Sequence, residues 1–73
     1  MREQTIRGET IRLGQLLKLA GLIDSGAEAK ALLADEMVRV NGVAEARRGR
    51  QLHHGDVVAV GGEELRVSAG TAG

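Results

Sequence analysis

Residues 25–50, SGAEAKALLADEMVRVNGVAEARRGR, contain a helix start, a tight hairpin turn and a run of arginines. Ser25-Gly26-Ala27-Glu28 matches the capping box, in which a serine and a glutamate three residues later each satisfy an orphan backbone N–H. The helix that starts there buries Ala29, Leu32 and Leu33. Ala27 and Ala31 are small enough to admit a neighbouring helix, and Lys30 points outward. The helix is expected to end near Asp35 or Glu36, whose charges oppose the macrodipole by a few tenths of a kcal/mol. Met37-Val38-Arg39-Val40 then alternates, with the valines inward and Arg39 outward. Asn41-Gly42 suits a type I′ turn, where both central residues need positive φ. Val43–Ala46 returns as a strand, and Arg47-Arg48-Gly49-Arg50 forms a basic bend.

On the N-terminal side, Leu13, Leu16, Leu17 and Ala20 recur at the spacing of one helical face. Lys18 lies off that face, and Gly21 stands where a helix end favours positive φ. Leu22 and Ile23 plug the space between the helices. Glu9–Arg12 alternates like a short edge strand, and residues 1–8 read as a loose arm. On the C-terminal side, Gly55-Asp56 is a turn before the strand Val57–Val60. Gly61-Gly62 is another, before Leu65–Val67, and residues 69–73 read as a disordered tail. The expectation is one α+β domain over residues 9–68, with two packed helices against a small, mostly antiparallel sheet.

Seventy-three residues suffice for one small domain. The chain has no aromatic residue and no cysteine, so Leu, Ile, Val, Ala and Met must fill the core without disulfides or thiolate-bound metal. No apolar run is long enough to span a membrane, and MREQTIRGET lacks the apolar stretch of a secretory signal. A soluble cytoplasmic monomer is expected. Ten Lys and Arg balance ten Asp and Glu. The charges are unevenly spread: between Met37 and Gly55 lie Arg39, Arg47, Arg48 and Arg50, with Glu45 the only glutamate and His53 and His54 nearby. A screened field acts over about 10 Å, so local clustering outweighs the neutral total.

Catalysis has little to stand on. Ser25 is explained by its cap. Adjacent His53 and His54 would point to opposite faces of an extended chain and share no metal. The glycines sit at turns and make neither a P-loop nor a dinucleotide fingerprint. The arginine bend goes beyond a solvated loop, because Arg is used throughout and its planar fork suits phosphate oxygens. Lys18, Lys30 and Arg39 would extend the phosphate surface, with Lys30 and Arg39 joining the bend if helix and hairpin lie side by side. Asn41 and Gly42 would present backbone N–H groups. Without aromatics there is no base-stacking platform, which favours structured RNA read by shape. A protein-interaction adaptor with incidental RNA affinity is the alternative; a small hydrolase or nuclease is a further rival.

From Arg12 to Val60 the chain resembles the RNA-binding domain named after ribosomal small-subunit protein four. The resemblance rests on Arg12-Leu13, on Leu16, Leu17, Ala20, Gly21 and Leu22, on Ser25, Glu28, Ala29 and Leu32, on Val38-Arg39-Val40-Asn41-Gly42, and on Gly55-Asp56-Val57. LGQLLKLAGLIDSG, NG and RRGR, in that order, are most similar to the short stand-alone bacterial members. The resemblance implies RNA as partner, plausible ribosomal RNA or ribosomal-precursor association, no cofactor and no catalytic domain. It adds Arg12 to the candidate RNA contacts. Gly14 departs from the family's acid, Gly26 and Ala31 from its helix arginines, and Glu36 from the glycine that ends its second helix.

Overall fold

The computed structural model describes residues 1–69. They form β1 (Arg2–Ile6), β2 (Thr10–Arg12), α1 (Leu13–Leu19), α2 (Gly26–Ala34), β3 (Val38–Val40), β4 (Val43–Ala44), β5 (Gln51–His53), β6 (Val57–Val60) and β7 (Glu63–Ala69). Five strands make one sheet in the order β1-β7-β6-β3-β4, and β2 pairs with β5 in a separate ribbon. Every pairing is antiparallel except β1 with β7. The domain is α+β, as its sequence suggests.

Helix α1 has seven residues, too short to persist in water by itself. Burial of Leu13, Leu16 and Leu17 holds it, each leucine contributing about 1.5–3 kcal/mol. These side chains meet Ile23 from the connection between the helices, Ala29 and Leu33 from α2, and Ile6, Val38, Val40, Leu52, Val58, Leu65 and Val67 from the strands. Both helices end alike. Leu22 N–H donates to Leu17 O and Gly21 N–H to Lys18 O, with Gly21 at φ +75°. Met37 N–H donates to Leu32 O and Glu36 N–H to Leu33 O, with Glu36 at φ +56°. Glu36 thus adopts the left-handed geometry usually given to glycine. Asn41 and Gly42 both have positive φ, as a type I′ turn requires.

Several expectations are corrected. Residues 1–8 are not a loose arm: Arg2–Ile6 is an edge strand running parallel to β7, with Ile6 in the core and Arg2 Nη2 donating to Ala20 O at 2.6 Å. Ser68 and Ala69 pair with Thr5 and Ile6, so Ala69 belongs to the sheet. The rest of the expected tail, 70–73, lies outside the described residues. Ala27 and Ala31 are exposed, and the close approach is made by the buried Ala29. In the capping box, Ser25 Oγ accepts from Glu28 N–H at 3.4 Å, whereas Glu28 Oε1 accepts from Asp24 N–H rather than from Ser25.

Candidate nucleic-acid interface

The basic bend is organised by an acid. Glu45, only 8% exposed, accepts hydrogen bonds from Arg47 N–H at 3.1 Å and Arg47 Nε at 3.3 Å through Oε2. Its Oε1 accepts from Arg50 Nη1 at 2.9 Å and Arg47 Nη2 at 3.5 Å. The Arg47 side chain, its backbone N–H and the Arg50 guanidinium stabilise the carboxylate and lower its pKa from 4.5 to about 2. The loop backbone is tied to α1 as well. Leu13 N–H donates to Arg50 O at 2.8 Å and Gly14 N–H to Arg48 O at 2.9 Å.

Arg48 therefore lies between two arginines committed to Glu45, yet its own side chain turns toward the helix starts. A Cβ at Gly14 would stand 2.5 Å from Arg48 Cγ, and one at Gly26 would stand 3.2 Å from Arg48 Nη1. The two glycines leave room for this arginine. The guanidinium occupies the rim of Gly26. A groove of about 380 Å³ opens here. Arg12, Lys18 and Arg48 line it together with Gly14, Gln15 and Gly26, over a floor of Ile23 and Ala29. Among the described residues no carboxylate lines it and none of the three cations is in an ion pair. Such a site attracts an anion by uncompensated charge and by the donor forks of its arginines.

The model of the S4 domain matches residues 4–68 of the chain. The chain belongs to the S4-domain family. A "Probable ribosome maturation protein RlbA" of Bacillus subtilis is 50% identical over 58 residues, covering 80% of this chain and 82% of that protein. A "Putative RNA-binding protein YbcJ" of Escherichia coli is 37% identical over 59 residues, covering 81% of this chain and 84% of that one.

The other sequence-derived positions of this S4 domain fall in different places. Lys30 lines a second groove of about 460 Å³ with Leu33, Ala34, Ala46 and Arg48, so Arg48 belongs to both grooves. Arg39 does not join Lys30. Its neighbours Val38 and Val40 are buried in the core that the helices share, so Arg39 projects from the opposite face of β3, beside Ala44 and Ala59. Arg47 keeps a largely exposed side chain, 77%, while Arg50 is at 32%, and both are paired with Glu45. Asn41 is a structural hub. Its Nδ2 donates to Asp56 Oδ1 at 3.1 Å, and its Oδ1 accepts from Val57 N–H at 2.9 Å. Its backbone N–H donates to Val57 O at 2.7 Å and is thereby occupied, while Gly42 completes the turn. Burial raises the Asp56 pKa, but hydrogen bonds from His53 N–H and Asn41 and the positive charge of His53 and Arg50 outweigh it and leave a net lowering.

His53 and His54 diverge. His53 Nδ1 stands 3.8 Å from Asp56 Oδ2, and His54 Nδ1 accepts from Ala69 N–H at 3.0 Å. Among the described residues no group of three His, Cys, Asp or Glu side chains is placed to hold a metal, and no helix is long and apolar enough to cross a membrane. Sequence reasoning missed the part played by Glu45. Its spacing, two residues before Arg47 and five before Arg50, was the available signal.

Proposed function

We propose that this S4 domain is a non-catalytic, monomeric, cytoplasmic RNA-binding module that grips the phosphate backbone of structured RNA, ribosomal RNA or its precursors above all. The observation that carries this reading is the groove at the joint start of α1 and α2, where Arg12, Lys18 and Arg48 converge without a carboxylate. Lys30 extends the surface along α2 through the second groove. The names of the two relatives, one for ribosome maturation and one for RNA binding, agree with it. Because the chain has no aromatic side chain, contact rests on phosphate and 2′-OH groups, so shape is read in preference to base identity.

A salt titration with a base-paired RNA hairpin tests the groove. Each neutralised phosphate contributes about 0.7–0.9 to the slope of log affinity against log salt. Arg48→Ala is expected to flatten the slope by about that amount. Arg39→Ala, on the far face of the sheet, leaves it unchanged. Equal slopes for wild type and Arg48→Ala would exclude the groove as the phosphate site.

A further inference from the structure

Glu45 is a buried acid at the centre of the most basic loop of the chain. Counted as a charge, it should oppose RNA. We infer that Glu45 is instead a positioning residue for RNA recognition, clamping Arg47 and Arg50 so that the loop presents Arg48 to the groove. The inference rests on the RNA-binding reading above.

The geometry assigns different work to three arginines in one short loop. Both oxygens of Glu45 are engaged, one by Arg47 alone and one shared by Arg47 and Arg50. These bonds fix the residues on either side of Arg48-Gly49. The carbonyls of Arg48 and Arg50, themselves bonded to Gly14 and Leu13 N–H, fix the loop against α1. Arg48 is left without a carboxylate among the described residues, and the bare Cα positions of Gly14 and Gly26 leave it a track. A loop already held in its binding geometry need not be ordered when RNA arrives, so affinity is gained without another phosphate contact.

The test sets charge against position. Glu45→Ala takes the formal net charge from 0 to +1, so charge alone requires tighter RNA binding. Positioning requires weaker binding, by about 2- to 10-fold, the loss that one newly mobile side chain entails. Both the hairpin affinity and the backbone amide signals of Gly14 and Gly26 are measured in the full chain. The two signals are expected to shift in Glu45→Ala as they do in Arg48→Ala, because either change removes the guanidinium from its track. Glu45→Gln keeps one acceptor oxygen and should recover part of the affinity. Glu64→Ala, which removes an exposed acid from the sheet, should not weaken binding. If Glu45→Ala lowers the melting temperature too far for measurement, Glu45→Gln with the amide signals decides alone. Unmoved Gly14 and Gly26 signals, or affinity equal to or above wild type, overturn the positioning role. Arg48→Ala without effect on RNA overturns the groove itself, and the two failures are thereby told apart.

Discussion

The two helices start from similar backbone geometry and are capped in different ways. Arg12 and Ser25 both precede their helices in extended conformation. Ser25 caps α2 with its own hydroxyl, so that start is written in four adjacent residues. Arg12 offers α1 no side-chain cap, and the first N–H groups of α1 are instead satisfied by the carbonyls of Arg50 and Arg48. The α1 cap and the placement of Arg48 are thus the same set of contacts. Stability and RNA recognition are expected to be coupled where Arg48 meets the start of α1, and separable at the residues Arg12 and Ser25 that precede the two helices.

The largest effect that would break this comparison is at Gly14. A β-branched side chain there collides with the stem of Arg48, which is not a free end able to swing away. Gly14→Val is expected to cost about 1–3 kcal/mol, the range for overpacking a filled site. Because a domain of this size shifts its Tm by about 4–8 °C per kcal/mol, the loss is readily measured by thermal melting. RNA affinity should fall with it, toward that of Arg48→Ala. A stable Gly14→Val protein with full RNA affinity would mean that the arginine does not depend on this track.

A smaller pair of effects sharpens the contrast. Ser25→Ala should cost about 1 kcal/mol of stability, the usual worth of such a cap. The folded protein should still bind RNA as wild type does. Arg12→Ala should show the reverse, with stability changed by less than about 0.5 kcal/mol, as for most surface substitutions, and RNA affinity reduced through loss of a groove cation. Melting and hairpin binding on the two variants check both halves. A loss of affinity in Ser25→Ala beyond its unfolded fraction would tie α2 to the surface as closely as α1.

What was legible in the sequence follows the same division. The leucine spacing of α1, the cap of α2, and the Asn41-Gly42 turn are all short-range signals, and each stands where the sequence puts it. Strand β1 was hidden because REQTI has one apolar residue, and its partner β7 lies at the other end of the chain. Strand β5 is three residues long with only Leu52 buried, too little to show a period. The arginine bend was legible as a cluster but not as a division of labour. Which of Arg47, Arg48 and Arg50 is free depends on the buried placement of Glu45 and on two glycines from different helices. Neither is a property of the bend's own sequence. Arg39 shows the converse: alternation in β3 placed it outward correctly, but the far side of the sheet from the helices was visible only in three dimensions.

The smallest effect is expected from pH, and it too distinguishes the two caps. Glu45 has a folded-state pKa near 2 against an ordinary 4.5, so the unfolded or opened loop takes up a proton at higher pH than the clamped loop does. The clamp therefore contributes its full stability above about pH 4.5 and loses it progressively as pH falls toward 2. Between pH 7 and 5 the carboxylate stays ionised in both states, and the Gly14 amide signal should not move. As pH approaches 2 it should shift, because the clamped carboxylate itself then takes up a proton and the Arg48 carbonyl loosens. Across the same range the Ser25 hydroxyl gains or loses no proton, so its bond to the Glu28 amide does not follow the Glu45 carboxylate. A Gly14 signal that moved between pH 7 and 5 would show that Glu45 does not control the α1 start.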